Sequence, residues 1–231
     1  ITETLYFLDL DEQIAGRTRY CIFPAGKVEK AKIVGGTKDI DLEAIHEVKP
    51  DLIIAEKEEN TKEIVETLEK YYPVYVAEVR SIIDAYRMIE DISSLLDREE
   101  QGRRLVQTIK DRFQHLPRAN KMKAAYVIWR NPYMVVGGDT YIHSVLETLG
   151  FSNPFANFEG RYPVVTQDDL ANAGLDYLFL ATEPFPFKDR HKQEFSQFLP
   201  NTKIEIVDGE MFWYGAKMVE AAHYFEAMLK K

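Results

Sequence analysis

The chain has a single cysteine, Cys21, among its 231 residues. One cysteine cannot form a disulfide within the chain or supply a cysteine-rich metal site, and it leaves the redox compartment open. No apolar run approaches the roughly 20 residues that a membrane-spanning helix needs. The net charge is −9, and no long cluster of lysine and arginine is present. The composition therefore argues against nucleic acid as a partner and offers no attraction to anionic lipid.

The sequence motifs of common catalytic sites are missing as well. There is no Gly-x-Ser-x-Gly, no phosphate-cradling glycine-rich loop and no His-Glu-x-x-His. Gly35-Gly36 and Gly137-Gly138 stand where strands are predicted to end, and turns are the simpler interpretation. The five histidines are scattered, and none has metal-ligand spacing to another. We therefore expect no enzyme activity, no cofactor and no metal ion bound directly by the protein.

What the chain does have is a long helical stretch near its middle. Apolar residues recur there at three- and four-residue steps over residues 81–116, which predicts amphipathic helix. Asp97 begins a capping-box pattern with Glu100, so a second helix is expected from Arg98 to Leu116. Nineteen residues at about 1.5 Å each span roughly 29 Å, the width of a small domain. Such a helix either joins two lobes or packs across one domain.

The residues on either side of this stretch repeat one order of elements. Each half has an unalternating apolar segment, typical of a strand buried in a parallel sheet, with helices before and after it. This repeat predicts an α/β fold with two Rossmann-like lobes joined by a single long helix. The predicted N-terminal lobe is 1–80, the helical linker is 81–117 with its backbone helix at 98–116, and the C-terminal lobe is 118–231.

The individual elements follow from the same patterns. The predicted helices outside the linker are 1–10, 41–48, 61–71, 140–149 with Asp139 as N-cap, 168–173, 195–199 and 216–229. The predicted strands are 33–34, 52–55, 74–77, 124–129, 177–181 and 204–207. Only the second half opens with a strand, so we expect that a strand of some ten residues precedes Ile1, together with any targeting segment.

Aromatic residues follow several of the predicted strands. In an open α/β sheet the loops after the strands line the ligand crevice. One ring alone could fill the core of its own lobe, but together they predict a wide aromatic cleft for a bulky planar or macrocyclic ligand. The candidate ligand-binding residues are the aromatics Tyr20, Phe23, Trp129, Tyr162, Phe185, Trp213 and Tyr214, and the cations Arg130, Arg161 and Lys217, which could meet carboxylates or phosphate.

Two glutamates form a second candidate set. Glu58 and Glu183 each follow the buried strand of their own half by a few residues. Pseudo-symmetry would place one of them on top of each lobe. An ordinary exposed glutamate is the simpler interpretation. The functional interpretation is a pair of acidic groups that dock on basic sites of a symmetric partner.

Several segments together resemble the substrate-binding proteins of ABC importers for cobalamin, siderophores and haem, which are also called helical-backbone metal receptors or class III periplasmic binding proteins. The segments are Thr-Arg-Tyr-Cys-Ile-Phe-Pro at 18–24, Lys-Pro-Asp-Leu-Ile-Ile-Ala at 49–55, Val-Gly-Gly-Asp-Thr at 136–140 and Asp-Gly-Glu-Met-Phe-Trp-Tyr-Gly at 208–215. The resemblance covers essentially the whole chain.

The resemblance implies a monomeric, periplasmic or otherwise extracytoplasmic protein that holds a metal chelate between two lobes. It implies delivery to a membrane permease and its ATPase through one glutamate on each lobe, here Glu58 and Glu183. Tyr20 matches a tyrosine that lines the cleft of cobalamin-binding members, and the segment around Trp213 matches another cleft-lining loop. Some cobalamin binders have a tryptophan near the position of Thr37, which this chain lacks. Cobalamin, ferric siderophore and haem therefore all stay open as ligands.

Two other functions are compatible with the same sequence. One is a soluble intracellular carrier of a corrinoid or another metal chelate on the same scaffold. The other is an enzyme on a two-lobed α/β frame, which would require an acid–base pair in the cleft.

Overall fold

The fold is a mixed α/β arrangement of short strands and helices, seen in a computed structural model that describes residues 1–230. The helices are α1 (Thr2–Phe7), α2 (Leu42–Val48), α3 (Lys62–Leu68), α4 (Ile82–Leu95), α5 (Glu99–Gln114), α6 (Tyr141–Thr148), α7 (Gln167–Asn172), α8 (Asp189–Ser196) and α9 (Lys217–Leu229). The strands are β1 (Gly16–Arg17), β2 (Lys32–Ile33), β3 (Ile53–Glu56), β4 (Val74–Ala77), β5 (Ala124–Trp129), β6 (Tyr133–Val135), β7 (Val164–Val165), β8 (Tyr177–Ala181) and β9 (Lys203–Val207).

The chain divides into two compact units. The first unit consists of Ile1–Glu78 with Tyr86–Val106, and the second consists of Val79–Ala85 with Gln107–Lys231. The division expected from the sequence, with lobes 1–80 and 118–231 and a linker at 81–117, stays a prediction.

The first unit contains two parallel strand pairs, β1 with β2 and β3 with β4. The helices around them begin at ordinary side-chain caps. The Asp41 carboxylate accepts a hydrogen bond from the Ala44 amide at 2.9 Å at the start of α2. The Thr61 hydroxyl accepts one from the Ile64 amide at 3.3 Å at the start of α3. Each cap satisfies a backbone donor that the helix itself leaves unpaired.

The expected single long connecting helix is not what the structure shows. Two consecutive helices, α4 and α5, occupy this stretch, as the boundary expected before Arg98 indicated, and α5 has 16 residues. Asp97 lies between them with a φ of 53°, and the Arg98 amide donates to the Ser93 carbonyl at 2.7 Å. A left-handed residue with such a back-bond terminates a helix. Asp97 therefore ends α4, and the predicted capping box that starts α5 at Asp97 is wrong.

The same two helices pack closely where α5 carries a glycine. A Cβ atom at Gly102 would lie 2.1 Å from the Ser93 hydroxyl oxygen. Ser93 is buried on α4, and its hydroxyl donates to the Glu90 carbonyl at 2.9 Å. Glycine at this position therefore lets the start of α5 approach the end of α4.

The second unit is built on a five-stranded sheet with the order β7-β6-β5-β8-β9. β5, β8 and β9 run parallel. On the other side of β5, β6 pairs antiparallel with β5 and β7 pairs antiparallel with β6. The sequence predicted the three parallel strands and missed β6 and β7. The missed strands have only three and two residues, too few to show a period of two.

The two faces of this sheet carry different cores. Ala125, Val127 and Leu180 are fully buried on one face together with phenylalanines from the surrounding segments. On the other face, the Tyr126 ring lies 4.6 Å from the Phe212 ring, which in turn lies 5.0 Å from the Phe225 ring of α9. Successive residues of β5 thus serve opposite cores, as a pleated strand requires.

The cap of α6 differs from the expected one by one residue. The Thr140 hydroxyl accepts from the His143 amide at 3.1 Å and donates to the Gly137 carbonyl at 2.9 Å. Thr140 has the extended backbone of an N-cap. Asp139 instead pairs with Arg80, with 3.3 Å between the Arg80 Nη1 and the carboxylate. The prediction of Asp139 as N-cap is therefore wrong.

Candidate functional site

The three parallel strands of the second unit end at one side of their sheet. We call the residues that end or follow these strands, namely 129–133 after β5, 182–187 after β8 and 208–214 after β9, the carboxyl edge. Loops at this side of a parallel sheet are where α/β proteins bind ligands. Five of the predicted ligand-binding residues and one of the predicted docking glutamates belong to it.

Trp213 is displayed at the carboxyl edge by a short turn that the core anchors. β9 runs into a 3₁₀ helix at Gly209–Phe212, where the Asp208 carboxylate accepts a hydrogen bond from the Glu210 amide at 3.1 Å. The side chain of Phe212 is buried against Tyr126, whereas the next side chain, Trp213, is 43% exposed. Anchoring one ring in the core thus holds its neighbour at the surface.

Glu183 contacts this displayed indole directly. The Trp213 Nε1–H donates a hydrogen bond to the Glu183 Oε1. The same glutamate packs against the backbone of the 3₁₀ turn, because a Cβ atom at Gly209 would lie 2.4 Å from the Glu183 Cγ. Glu183 is half-buried and engaged within its own unit. Glu183 therefore makes more contacts than the ordinary exposed glutamate that was the simpler interpretation of the sequence.

Trp129 lies at the end of β5 and is also well exposed, at 40%. Its ring stands 5.8 Å from the Phe185 ring in an edge-to-face arrangement. Phe185 is half-buried, and its amide donates to the Ile128 carbonyl at 3.3 Å. Phe187, two residues on, is buried in the core. Of the two phenylalanines in this loop, one therefore fills the core and the other supports an exposed indole.

Arg130 is held by an ion pair that the sequence did not reveal. Its Nη2 lies 2.9 Å from the Glu194 Oε2, and the Tyr133 hydroxyl donates to the Glu194 Oε1 at 2.6 Å. Burial works to raise the pKa of Glu194, but the hydrogen bonds from Arg130 and Tyr133 bring that pKa below its ordinary value. The hydrogen bond to Glu194 also raises the pKa of the Arg130 guanidinium. The charge of Arg130 is thus largely compensated within the protein.

Lys217 is compensated in a similar way. Its side chain is buried at the start of α9, and its Nζ lies 2.9 Å from the Glu220 Oε2. Near it, burial raises the pKa of Glu210, and the negative charges of Asp208 and Glu183 raise it further. The charges that act on the Glu210 carboxyl thus come from three acidic groups, Asp208, Glu183 and Glu220, and from the cation Lys217.

The remaining predicted residues of the second unit surround these groups. Tyr214 is half-buried, with its ring 5.4 Å from the Tyr141 ring. Arg161 and Tyr162 are half-buried in the loop before β7, and the Arg161 carbonyl accepts from the Gly137 amide at 2.8 Å. Tyr126, beneath the carboxyl edge, has its pKa raised well above its usual value by burial and by the nearby Glu183.

In the first unit, Tyr20 is the most exposed of the predicted ligand-binding residues. It is 63% exposed, with the Arg19 guanidinium 5.9 Å from its ring centroid. The loop around it is held by Arg17, which donates to the Val28 carbonyl at 2.8 Å and to the Cys21 carbonyl at 3.0 Å. Phe23 is half-buried in the same loop. Tyr20 is thus an exposed ring on a loop that the hydrogen bonds of Arg17 hold in place.

Glu58 is exposed on a turn that a buried neighbour organises. At the end of β3, the buried Glu56 Oε2 accepts from the amides of Glu58 at 2.7 Å and Glu59 at 2.9 Å. The Asn60 side chain accepts from the Glu56 amide at 2.9 Å and donates to the Thr37 carbonyl at 3.0 Å. The sequence analysis missed Glu56, although a glutamate that ends an apolar strand just before a turn is a signal for such a brace.

Other features of the described chain lie apart from these residues. A surface cavity of about 750 Å³ opens beside α6, lined by Lys121, His143, Glu147 and Asn153 among others, and no predicted site residue lines it. Within residues 1–230 there is no group of three or more histidine, cysteine, aspartate or glutamate side chains that could hold a metal ion. Over the same range, none of the helices has the length and apolar character needed to cross a membrane.

Residues 1–203 match the family model described as periplasmic binding protein. The chain belongs to the periplasmic binding protein family. This periplasmic binding protein is 29% identical over 179 residues to the vitamin B12-binding protein of Vibrio vulnificus, which covers 73% of this chain and 63% of that protein. It is 23% identical over 174 residues to the vitamin B12-binding protein of Photorhabdus laumondii, with the same coverage, 73% and 63%. The chain thus spans less than two thirds of these curated relatives.

Solved structures are similar over nearly the whole chain. A possible iron-binding periplasmic solute-binding protein from Staphylococcus epidermidis has a TM-score of 0.84 at 24% identity and covers 100% of this chain and 95% of its own. The periplasmic haem-binding protein of Vibrio cholerae has a TM-score of 0.84 at 16% identity, with coverage of 100% and 95%. The periplasmic vitamin B12-binding protein of Vibrio cholerae has a TM-score of 0.75 at 18% identity, with coverage of 99% and 92%. At these identities the likeness shows the fold alone.

These findings confirm two of the sequence predictions. The predicted family is confirmed, and so is the predicted α/β fold of class III periplasmic binding proteins, apart from its single long helix. The curated relatives of this periplasmic binding protein are named as binding proteins and not as enzymes, which indicates a solute-binding role. The roles given to the individual ligand-binding and docking residues stay predictions.

Proposed function

We propose that this periplasmic binding protein captures a bulky metal chelate outside the cytoplasm and delivers it to the permease and ATPase of an ABC importer. The observation that carries the proposal is the exposure of Trp129 and Trp213 at the carboxyl edge, with Tyr20 exposed in the first unit. Large aromatic side chains left in water at a ligand-binding edge offer flat apolar faces to a macrocycle. A chelate that stacks on the two indoles at the carboxyl edge would remove this surface from water.

The names of similar proteins support this ligand class. They include vitamin B12-binding, haem-binding and possible iron-binding proteins. Cobalamin, haem and ferric siderophores are all large metal chelates, and the first two have a flat macrocycle that an indole can cover. In this proposal the metal arrives inside the ligand, so the protein contacts the organic part of the chelate and is not required to coordinate the metal.

The charges at the carboxyl edge favour a corrinoid among these ligands. Two of the three candidate partners for ligand carboxylates, Arg130 and Lys217, are paired with Glu194 and Glu220. Asp208 and Glu210 add negative charge nearby. A cobalamin surrounds its ring with neutral amides, whereas haem presents propionate carboxylates. Unlike charges attract and like charges repel across a partly desolvated site, so the neutral ring fits these surroundings better.

Glu58 and Glu183 are proposed as the docking groups for the permease. Glu58 is exposed on the turn that Glu56 braces, so its position is set before a partner arrives. A rigid acidic group of this kind pairs well with a basic socket, and charge complementarity mainly sets the encounter rate and the register of the complex.

The ligand class is tested by titrating the purified protein with cyanocobalamin, haemin and ferrioxamine B while recording absorbance and tryptophan emission. We expect micromolar or tighter binding of at least one of these chelates, without turnover. In Trp129→Ala and Trp213→Ala proteins the affinity should fall at least tenfold, because each substitution removes a stacking interaction of about 1.4 kcal/mol or more.

The matched control is Tyr71→Ala, because Tyr71 is 57% exposed in the first unit but is not a predicted ligand-binding residue. That variant should bind as the unaltered protein does. If none of the three chelates changes either signal, the proposed ligand class is wrong.

A further inference from the structure

One hydrogen bond joins two residues to which the proposed function gives different roles. Glu183 is a proposed docking group, and Trp213 is a proposed ligand contact. The Trp213 Nε1–H donates to the Glu183 carboxylate, although the two residues lie thirty positions apart, after different strands. The exposed indole therefore has a specific acceptor on the neighbouring loop.

The surrounding contacts leave little freedom except in the indole itself. The Gly209 amide donates to the Thr182 hydroxyl at 2.9 Å, which ties the loop after β9 to the loop after β8. The Trp213 amide donates to the Glu210 carbonyl at 3.2 Å, and the Tyr141 hydroxyl donates to the Trp213 carbonyl at 3.5 Å. The backbone of Trp213 is thus held on both sides. Only the side-chain torsions of Trp213 are free to vary, and the hydrogen bond to Glu183 favours one rotamer of the indole.

We propose that Glu183 is a positioning residue for Trp213, whose carboxylate fixes the orientation in which the indole meets the ligand. This inference rests on the proposed function, because it takes Trp213 as a ligand contact. A side chain that is pre-set before binding loses less conformational entropy when the ligand arrives, so the hydrogen bond adds to affinity without touching the ligand.

The hydrogen bond between Glu183 and Trp213 also bears on delivery of the ligand. A basic side chain of a partner that pairs with the Glu183 carboxylate competes with the indole for the same oxygen atoms. Docking at Glu183 then frees the Trp213 indole to rotate and lowers the affinity for the ligand. By linkage, a bound ligand lowers the affinity of the partner for Glu183 by the same factor. Glu58 lies on a braced turn of the first unit, so its docking does not draw on this bond.

The first measurement needs no ligand. The chain has two tryptophans, so a Trp129→Phe background leaves Trp213 as the only indole. Acrylamide quenching of its emission should rise about twofold in Glu183→Ala, because the ring then samples more solvent-exposed rotamers. Glu183→Gln keeps a carbonyl acceptor and should stay close to the starting value. Equal quenching in all three proteins would overturn the inference.

The second measurement uses cyanocobalamin as the probe, with Trp129 retained. We expect Glu183→Ala to weaken binding about fivefold, and Glu183→Gln to restore affinity to within about twofold, since a hydrogen bond to a carbonyl replaces one to a carboxylate. Glu226→Ala is the matched control: it removes a half-buried glutamate of α9 that pairs with Lys230, and affinity should not change. Unchanged affinity in Glu183→Ala would overturn the role in binding.

The two readouts separate this inference from the proposed function. If the unaltered protein binds none of the chelates, the proposed function fails, while the quenching experiment still decides whether Glu183 positions the indole. Thermal unfolding followed by circular dichroism shows that each variant is folded before it is compared.

Discussion

Glu194 joins two segments of the second unit through hydrogen bonds to its carboxylate. It lies on α8 and accepts from the Arg130 guanidinium and the Tyr133 hydroxyl, which stand on either side of the turn between β5 and β6. A carboxylate that accepts charge-assisted bonds in a partly buried place is stabilised in its ionised form. The lowered pKa of Glu194 therefore means that the ionised group stabilises the folded protein.

This linkage predicts a pH-dependent contribution to stability. Because the pKa of Glu194 is lower in the folded than in the unfolded state, its contribution is present above the unfolded value of 4.5 and is lost as the pH falls through the folded value. We expect Glu194→Gln to reduce the free energy of unfolding by about 1 kcal/mol at neutral pH and to make little difference in strong acid.

Urea unfolding at several pH values measures the difference between the two proteins. Glu226→Gln serves as the comparison, because its pair with Lys230 is far more exposed than that of Glu194, and its effect should be smaller. A Glu194→Gln deficit that persisted unchanged into strong acid would show that the side chain acts through shape and not through charge.

At the scale of the elements, strands were easier to predict than the ends of helices. β4, β5 and β8 have the predicted bounds, because unalternating apolar runs between polar residues mark a buried strand clearly. Caps are harder, since neighbouring residues often share the required chemistry. Asp139 and Thr140 can both cap a helix, and only the backbone, which lets Thr140 also reach the Gly137 carbonyl, decides between them.

The break at Asp97 is the element whose backbone the sequence described least well. The capping-box pattern predicted a helix boundary there, but as the N-cap of α5 and not as a left-handed end of α4. The left-handed backbone at Asp97 can be tested by a substitution whose sign differs between a left-handed joint and a continuous helix. Glycine adopts positive φ without steric cost, whereas inside a helix it is among the worst residues.

We expect Asp97→Gly to raise the free energy of unfolding by about 0.5–1 kcal/mol, because it relieves a left-handed non-glycine residue. A single continuous helix would instead lose about 1 kcal/mol on the same change. Arg103→Gly, on the exposed face of α5, is the control for glycine inside a helix and should destabilise the protein. Chemical denaturation of the three proteins compares these effects directly.

At the scale of the whole molecule, the sequence predicted which loops carry exposed indoles but not which charged side chains are paired. The rule that ligands bind after parallel strands pointed to Trp129 and Trp213, and the structure leaves both indoles exposed. The sequence did not show that Arg130 is paired, because Glu194 becomes its partner only when α8 is in place. Pairing across a fold is a tertiary property that a local pattern does not contain. The Lys217–Glu220 pair is different, because its spacing of three residues on α9 is a local signal that the sequence analysis missed.

The charge of the molecule leads to a final prediction about ligand choice. The net charge is −9, and acidic groups surround the turn after β9. We expect a neutral corrinoid to bind with an affinity that salt hardly changes. A chelate with free carboxylates, such as haemin, should bind more tightly when salt rises from about 0.01 M to about 1 M, which shortens the Debye length from about 30 Å to about 3 Å and screens the repulsion.

Parallel titrations with cyanocobalamin and haemin in sodium chloride measure this difference, and potassium fluoride in place of the chloride controls for binding of the anion itself. Glu210→Gln should narrow the gap between low and high salt for haemin, because it removes one negative charge from the carboxyl edge. If haemin instead bound best at low salt, then the cationic side chains would dominate the ligand's surroundings despite their pairing, and an anionic chelate would become the better candidate ligand.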